Sequence, residues 1–581
     1  MWILSRVLAY STIMHFREWC NGCGTRLRWL LVLALVAGLS SPTRADDGVL
    51  GGLTWMPYPS NWNAMAPKVV YDGLFTYGVL TGFGESHIWS VVRRRGLSTS
   101  WEQGAPTFYS QQPPVVYIDL KGRLNVMCNT PKLRHVRFPH PQVDLQEYVD
   151  IPTNFAPDVG YMGASYDPVS DTAVLAFSEV PSFVLHFSAK YTDANDWTTP
   201  TALPAAQPGN VFLYPRPICV GGRYVVLAGE HPVGPVNGAY VGATLFESPS
   251  PFGPWSARVI HQSVGANLGV PYSNWCYPLD MQVNPAGKLR ITLHIGEAGS
   301  GHTPVPEGML VAREEDGFAL RHIAGHIDDG FPLHIDPSGV SLAFALLTGD
   351  APRLPGKLVY YKSVDDCLTW TGPFLAPQGI NPTLVDRRSG SLPMGKNLGF
   401  IYCANTTAPF SDYYFAEVPL GISDTPDRYD RWTTGTDGAQ DYARQINDQS
   451  SGRFTFFTID NTASGSFDLT YSYTAGSYYQ VYTAKSNGSY SYYNSDGYTK
   501  KYDAPEDYSY SIPGAGGAIE YIHVYRDPAN SITWWTVMNY DSAGNWVYSY
   551  VYWKGAYWYQ EIKRSNGTFL KSDANGYLSS S

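Results

Sequence analysis

Short runs of β-branched and aromatic residues alternate with glycine-rich and proline-rich turns over most of this chain. The clearest example spans Leu213 to His231, where the apolar run Pro217 to Val220 is followed by the turn Gly221-Gly222. A second apolar run then returns from Arg223 to Ala228. Two such runs separated by two glycines predict a β-hairpin, and no long helical period competes with this pattern.

The same hairpin pattern occurs six more times along the chain. Four close copies and two looser ones begin at Pro113, Ala164, Met281, Pro332, Pro67 and Pro382. Copies spaced by roughly 45 to 65 residues leave room for two further strands each, which is typical of four-stranded blades repeated around an axis. The sequence therefore predicts an all-β protein with a seven-bladed β-propeller over residues 46–420.

After about Gly421 the composition changes, and tyrosine alternates with small polar residues. Examples are Tyr471-Ser472-Tyr473 and the run from Tyr548 to Trp553, and turn dipeptides such as Asn487-Gly488 and Asn566-Gly567 separate the runs. This pattern predicts a Tyr-rich domain of antiparallel hairpins over residues 421–581. Aromatic residues at period two either pack against another sheet or, when exposed on one face, offer a stacking platform for sugar rings. The sequence leaves both interpretations open.

The first 45 residues have the pattern of a secretory signal peptide. A basic region ending in Arg26 and Arg28 precedes the apolar run Leu30 to Leu39, and small residues follow up to Ala45. The apolar run is short for a membrane span. We therefore expect cleavage near Ala45 and secretion to the periplasm or the exterior, without a membrane span in the mature chain. A signal anchor is the alternative.

Cysteine usage and charge narrow the class of protein further. Cleavage would leave five cysteines in different repeats, and an odd number without paired spacing does not predict a disulfide framework, so we expect most of them to be small buried hydrophobic residues. The formal net charge of -10, with no basic stripe, argues against a nucleic-acid partner. We interpret the run Arg93 to Arg95 as a solvated strand end.

One segment between predicted strands resembles a known structural hairpin. Ser363 to Trp370 reads S-V-D-D-C-L-T-W, which resembles the Asp-box of sialidase-like propellers, with Cys367 where glycine is usual. In such a box the Ser and Asp side chains hold the turn and the Trp packs between blades. The resemblance implies a fold and no chemistry.

A predicted ring of polar and aromatic residues surrounds the central channel. In this strand order, the starts of first strands and the ends of second strands emerge on one face. The starts contribute Gln111, Gln112, Asp158, Tyr214, Arg216, Tyr277, Asp328, Asp329 and Asn381. The ends contribute Glu85, His87, Asn129, Glu179, Glu230, His231, His294, Glu297, Asp350 and Asn405. Because crowded carboxylates repel one another and shift their pKa values, this ring is the predicted binding site.

The repeats carry a further resemblance over roughly Pro67 to Leu420. The segments PKVVYDG, QQPPVVYIDLKGRLNVM, LYPRPICVGGRYVVLAGE and NWCYPLDMQVNPAGKLRI resemble the BNR-repeat seven-bladed propeller family that includes ulvan lyases and related rhamnosidases. In those lyases a Tyr-Pro pair in blade four acts with two His and one Arg. Placed on this chain, the Tyr is Tyr214, whereas the first His falls on Gln111, the second near Pro131 and the Arg near Glu230.

These departures leave three hypotheses open. The first is a polysaccharide lyase acting on uronate-containing glycans, with Tyr214 as base or acid, His231 or His294 assisting, and Arg216 neutralising the carboxylate. The second is a glycoside hydrolase that uses two carboxylates, chosen from Glu179, Glu230, Glu297, Asp158 and Asp328. The third is a propeller that only binds glycans. An acidic ring also suits a bound Ca²⁺, although the sequence does not identify a metal.

Overall fold

The structure is a computed structural model, and the part of the chain that it describes consists of several ranges. They are residues 45–49, 68–81, 88–95, 101–104, 108–153, 155–192, 194, 196–232, 240–262, 274–297, 308–324, 327–347, 357–377, 379–403, 413–421, 428–448, 452–504, 507–513, 519–541 and 543–580. These ranges contain strands and two single 3₁₀ turns, Glu314–Asp316 and Pro528–Asn530, but no α-helix. None of the described segments is a helix that could cross a membrane.

Seven antiparallel sheets form the propeller, as the repeats predict. Blade one contains β2 (Val69–Tyr71), β3 (Phe75–Thr81), β4 (Ile88–Arg95) and β5 (Trp101–Gln103), and β6 (Phe108–Tyr109) also pairs with β4. Blade two contains β7 (Val115–Ile118), β8 (Leu124–Asn129), β9 (Leu133–Phe138) and β10 (Val149–Ile151). Blade three contains β11 (Asp158–Asp167), β12 (Thr172–Val180), β13 (Leu185–Tyr191) and β14 (Thr201–Ala202).

The remaining blades follow the same order of strands. Blade four contains β15 (Asn210–Val220), β16 (Arg223–Pro232), β17 (Gly242–Ser248) and β18 (Ser256–Gln262). Blade five contains β19 (Asn274–Val283), β20 (Leu289–Glu297), β21 (Gly308–Arg313) and β22 (Leu320–Ala324). Blade six contains β23 (Ile327–Ile335), β24 (Ser341–Leu347), β25 (Lys357–Ser363) and β26 (Thr371–Leu375).

Blade seven closes the ring with strands from both ends of the propeller. Its strands β27 (Ile380–Leu384), β28 (Asn397–Cys403) and β29 (Tyr413–Pro419) are completed by β1 (Ala45–Val49), which pairs with β29. First strands of neighbouring blades contact one another, for example β11 with β15 and β19 with β23, so the first strand of each blade is innermost. Pairing an early strand with the last blade leaves the ring without an open seam.

The hydrophobic core lies between successive blades. Phe187, Phe212 and Phe246 fill the gap between blades three and four, and Leu293 with Ile218 fills the next gap. These residues alternate along their strands with residues of the opposite sheet face, so each blade buries both faces. The propeller face that carries the turns between first and second strands is called the turn face below, and the opposite one is the open face.

A segment of blade seven crosses the channel on the turn face. After β27, residues 386–391 extend to other blades: Ile118 N–H donates to the carbonyl of Ser389 at 2.7 Å, and Leu392 N–H donates to Tyr71 at 2.8 Å. Arg388 reaches blade five, where its guanidinium pairs with Asp280 at 2.7 Å. The segment therefore blocks the channel on the turn face, and a ligand would enter from the open face.

The tail forms one 14-stranded antiparallel sheet, as its alternation predicts. Its first eight strands are β30 (Arg428–Thr434), β31 (Gln440–Asp448), β32 (Arg453–Asn461), β33 (Phe467–Ala475), β34 (Tyr478–Lys485), β35 (Tyr490–Asn494), β36 (Thr499–Ala504) and β37 (Asp507–Pro513). Its last six strands are β38 (Ile519–Asp527), β39 (Ile532–Tyr540), β40 (Trp546–Lys554), β41 (Tyr557–Arg564), β42 (Phe569–Asp573) and β43 (Leu578–Ser580).

One face of the first eight strands packs on the turn face at blades one and two; it is called the inner face. Tyr471 is fully buried there and its hydroxyl donates to the carbonyl of Asp72 at 3.3 Å, while the Tyr473 hydroxyl donates to Leu120 at 2.7 Å. The Gln480 amide donates to Gln142 at 2.7 Å. These side chains belong to one continuous hydrophobic cluster with blade one, so the first eight strands complete the propeller core.

Two smaller expectations have different outcomes. The interpretation of Arg93 to Arg95 as a solvated strand end is wrong, because Arg94 is 3% exposed and lies over the Phe415 ring, and Arg95 lies over Tyr482 of the tail. By contrast, the expected burial of the cysteines is confirmed for the four whose side chains are described. These are Cys128, Cys219, Cys276 and Cys367, and none is in a disulfide.

The hairpin at Ser363 is held by its own side chains. Asp365 accepts hydrogen bonds from Ser363 Oγ at 2.8 Å and from the Thr369 N–H at 2.9 Å, and the Cys367 N–H donates to Ser363 Oγ at 2.9 Å. Trp370 packs against the core between blades five and six. The hydrogen bonds and the packing of Trp370 give this hairpin a structural role.

Candidate functional site

The candidate site lies on the open face and is organised around a β-bulge in β15. The pairing with β16 runs from Asn210 to Leu213 and resumes at Arg216, so Tyr214 and Pro215 have no ladder partner. Tyr214 has a φ of +53°, which a non-glycine residue rarely adopts. A bulge of this kind turns a side chain away from its normal alternation. The strain of such a residue costs about 1–3 kcal/mol and is found mainly at functional sites.

Four tyrosines from three blades meet at this bulge, and together they are called the tyrosine cluster. The Tyr214 ring lies 4.4 Å from that of Tyr161, 5.6 Å from Tyr240 and 6.0 Å from Tyr277, measured between centroids. Tyr240 and Tyr277 are 4.9 Å apart. Tyr214 is buried and the other three are partly exposed. The cluster therefore combines one buried tyrosine with three that are partly exposed.

The protonation state of the cluster follows from its burial. Burial raises the pKa of Tyr214 far above its usual range, and the neighbouring Tyr240 and Tyr161 add to this shift. Burial likewise raises the pKa of Tyr240, to which the Tyr214 hydroxyl is hydrogen-bonded. Both phenols are therefore protonated at neutral pH. In this state Tyr214 can donate a proton or a hydrogen bond, but it is not a resting base.

Two histidines lie at the edge of the tyrosine cluster. The His231 ring is 5.3 Å from Tyr240, and its Nδ1 is hydrogen-bonded to the carbonyl of Pro232 at 2.8 Å. With Nδ1 donating, the neutral ring presents Nε2 as an acceptor. His294 is buried opposite Tyr277 in the β19–β20 ladder, and burial lowers its pKa to about 4, so it is neutral at pH 7.

Arg216 lies two residues beyond Tyr214 and is buried in the channel. Its Nη2 donates to the carbonyl of Leu279 at 3.1 Å, and the Asp280 carboxylate is nearby. Burial lowers the pKa of Arg216 from its usual value. Lys68 is also buried here, and burial together with the charge of Arg216 lowers its pKa. The channel floor thus contains two basic groups below the tyrosine cluster.

Glu230 does not face the tyrosine cluster. It is 1% exposed, and its Oε1 accepts hydrogen bonds from the Gln207 N–H and from Asn210 Nδ2, both at 3.1 Å. These bonds hold the loop that leads into β15. The structure therefore places Glu230 in a structural position, and a catalytic role for it stays a prediction.

The remaining predicted residues whose side chains are described lie at the rim. Glu179 accepts from His186 at 3.1 Å, a bond that lowers the pKa of Glu179, and the neighbouring Asp158 pairs with Lys132 at 2.6 Å. Asn129 is buried and donates to the carbonyl of Val159 at 2.6 Å. The backbone N–H of Gln111 donates to the carbonyl of Asn129, and the N–H of Gln112 donates to the side-chain oxygen of Asn129.

Several predicted residues lie outside the described part of the chain. Side chains are not described for Glu297, Asp328, Asp329 and Asn381, although their strands are. Glu85, His87, Asp350 and Asn405 are not described at all. Among the residues that are described, no group of three His, Cys, Asp or Glu side chains could hold a metal ion. The expectation of Ca²⁺ therefore stays a prediction.

Sequence reasoning missed Tyr161 and Tyr240. Tyr161 occupies the bulge of β11, where the register with β12 shifts between Val159 and Met162. The register of β19 shifts between Pro278 and Asp280, directly after Tyr277. A tyrosine recurs near the start of the first strand in blades three, four and five, and this recurrence in the sequence would have predicted Tyr161. No such signal exists for Tyr240, which comes from the connection before β17.

Comparisons with known proteins give only distant likenesses. No protein-family model and no curated protein sequence matches the chain. An ulvan lyase of polysaccharide lyase family PL25 is 12% identical with a TM-score of 0.43, and the alignment covers 65% of this chain and 95% of that chain. An exo-β-1,3-galactanase from Phanerochaete chrysosporium is 12% identical with a TM-score of 0.27, covering 73% and 89% of the two chains. Likenesses at this level do not decide an activity.

Proposed function

We propose that this protein is a secreted enzyme that cleaves uronate-containing polysaccharides by β-elimination, with the tyrosine cluster as its active site. The observation that carries the proposal is the buried Tyr214, held in a strained backbone at the channel mouth and hydrogen-bonded to Tyr240. His231 lies beside Tyr240, so acid and base groups are close together. The turn face is blocked, and the open face is the remaining route for a glycan.

The chemistry assigns a role to each group. In β-elimination the C5–H bond and the bond from C4 to the glycosidic oxygen break, and a C4–C5 double bond forms. Neutral His231 takes the C5 proton on Nε2, while protonated Tyr214 gives its proton to the leaving oxygen. Tyr240, hydrogen-bonded to Tyr214, is a positioning residue. The raised pKa of Tyr214 keeps this phenol protonated at neutral pH, which is the state from which the proposed role starts.

The uronate carboxylate must also be neutralised before its C5 proton becomes acidic. We assign this role to Arg216, which is buried two residues beyond Tyr214, while Lys132 lies on the rim and is paired with Asp158. A carboxylate that faced the tyrosine cluster would repel an anionic sugar. Glu230 is instead hydrogen-bonded to Gln207 and Asn210, so its charge is directed to the loop before β15.

A glycoside hydrolase is the second candidate, supported by the adjacent carboxylates of Glu179 and Asp158. Each of them is already engaged, Glu179 with His186 and Asp158 with Lys132. Both lie on the rim and are partly exposed, and the bond with His186 lowers the pKa of Glu179, whereas a general acid needs a raised one. A propeller that only binds glycans is the third candidate.

Substitution of Tyr214 by Phe tests the proposal. Tyr214→Phe keeps the ring and removes one hydroxyl, so we expect the rate to fall about 10²–10⁴-fold with little change in glycan affinity. Turnover is measured by the ultraviolet absorbance of the unsaturated uronate on a panel of uronate-containing polysaccharides. Tyr224→Phe is the matched control, since Tyr224 is equally buried in the same blade but packs among other residues.

Product chemistry separates the candidates. New reducing ends without an unsaturated uronate, lost in Glu179→Gln and kept in Tyr214→Phe, would replace the lyase with a hydrolase. Binding of a uronate polysaccharide without any product, unchanged in Tyr214→Phe, would leave the binding protein. Equal rates in Tyr214→Phe and the natural protein would remove the tyrosine cluster from the mechanism.

A further inference from the structure

The last six strands of the tail sheet carry an unusual outer face, which is the face opposite to the inner face. Tyr525, Trp534, Tyr552 and Tyr559 lie in one row across β38–β41, because each pairs with the next in the strand register. Tyr548 and Tyr550 belong to the same face, four and two residues before Tyr552 on β40. These six side chains are called the aromatic face. All six are partly exposed.

The outer face of the first eight strands has a different arrangement. One row across it consists of Thr458, Thr470, Thr483 and Ser491. Three exposed aromatic residues, Phe456, Tyr479 and Tyr493, lie on the same face, but Phe456 pairs with Ser472 and Tyr493 with Val481. On the outer face, four aromatic residues that pair with one another in one row are therefore a feature of β38–β41.

The opposite face of the same strands mixes aliphatic and aromatic residues. Val524, Val537, Val551 and Ile562 lie on this inner face together with Trp535, Trp553 and Trp558. Each aromatic residue of the outer face combines an apolar ring with a polar edge. A pyranose offers the complementary pair, since its C–H face is apolar and its rim carries hydroxyls. Two adjacent rings, Tyr525 and Trp534, are stacked with their centroids 5.4 Å apart.

Charge narrows the class of glycan. Residues 519–581 contain five Lys or Arg and five Asp or Glu, so this part of the chain is neutral although the whole chain carries -10. On the aromatic face, Glu561 is flanked by Lys563 at 3.1 Å and Lys571 at 3.0 Å. A neutral surface neither attracts nor selects an anionic polymer.

We infer that the aromatic face is a binding site for a neutral polysaccharide with extended, β-linked chains, whose sugar faces stack on Tyr525, Trp534, Tyr552 and Tyr559. Extended chains are implied because the row crosses four neighbouring strands, at about 4.8 Å per strand, and presents several rings in sequence. The site is separate from the tyrosine cluster. The inference does not depend on the function proposed for the propeller.

Binding to microcrystalline cellulose, as the neutral β-linked probe, tests this inference in the full-length protein. Trp534→Ala should weaken binding about tenfold, because one stacking ring is lost from the middle of the row. Trp535→Ala is the matched control: it removes the same side chain from the next residue, which faces the inner side, and should bind like the natural protein. Binding should also be insensitive to added salt.

Two further measurements test the inference if Trp534→Ala does not fold. Tyr552→Ala tests the same row on the next strand, and tryptophan fluorescence of the natural protein should change when soluble β-linked oligosaccharides are added. Tyr214→Phe should bind cellulose normally, which separates this site from the propeller. The inference is overturned if the natural protein does not bind cellulose or if Trp535→Ala loses binding while Trp534→Ala keeps it. It is equally overturned if the face instead joins two copies, seen as a dimer that Trp534→Ala dissociates.

Discussion

The first eight strands of the tail sheet and the last six have the same alternation of tyrosine with small residues, but their surroundings differ. In the first eight, Tyr471, Tyr473 and Tyr492 are buried against blades one and two. In the last six, Tyr550 and Tyr552 are partly exposed. An alternating pattern therefore predicts which residues share a face, but it does not predict whether that face is covered.

The difference lies in what each half provides to the propeller. Arg444 donates to the Tyr71 hydroxyl at 2.8 Å, and the His140 ring stacks on Tyr498 with centroids 3.8 Å apart. Contacts of this kind bury polar groups together with their partners, which keeps the interface stable. The first half is thus part of the propeller core, whereas the aromatic face of the second half is partly exposed.

The largest difference in stability should appear between two truncations, one that removes the last six strands and one that removes the whole tail sheet. A chain that ends at Pro513 keeps the docked strands, and we expect its urea midpoint to stay close to that of the full chain. A chain that ends at Gly421 exposes the apolar surface that Tyr471 and Phe457 cover, and we expect it to unfold or aggregate. If the shorter chain is folded and as stable as the longer one, the first half does not complete the core.

A pair of single substitutions should give a smaller contrast. Tyr471→Ala removes a fully buried ring and should destabilise the protein by about 3–5 kcal/mol. Tyr550→Ala removes a partly exposed ring of the second half and should change stability by less than about 1 kcal/mol. Both are measured by urea unfolding. Equal losses would show that the two halves are packed alike.

The pH dependence should give the smallest effect. Burial, and then the charges of Lys500 and Arg123, lower the pKa of His140 to about 3, whereas Asp144 acts in the opposite direction. Because the folded pKa lies below the unfolded value, the unfolded chain binds the proton first as the pH falls. Stability from this group is complete above about pH 6.5 and is lost progressively as the pH falls from there to about pH 3.

The buried His135, His294 and His334 have lowered pKa values for the same reason and add to the slope. The variant His140→Gln should therefore lose less stability than the natural protein between pH 7 and pH 4, as measured by urea unfolding at each pH. The same slope in both would show that His140 is not buried as a neutral group at the interface with the tail.

Much of the fold was predictable because it depends on local patterns. The hairpin around Gly221-Gly222 and its six copies predicted seven blades, since turn chemistry and alternation act within one hairpin. In that hairpin Leu213, directly before Tyr214, lies opposite Gly229. The candidate site was only partly predictable. Tyr214, Tyr277 and His231 were found from strand ends, but Tyr240 comes from a connection that has no periodic signal.

By itself, the sequence determined the all-β class, the seven repeats, the tail sheet and the ends of strands where side chains meet. The tertiary structure decided which of those side chains converge: the bulge at Tyr214 brings it to Tyr161 and Tyr240, while Glu230 turns to the loop at Gln207. It also decided which tyrosines of the tail are covered. The physical reason is that alternation is a property of one strand, whereas burial depends on contacts between residues far apart in the chain.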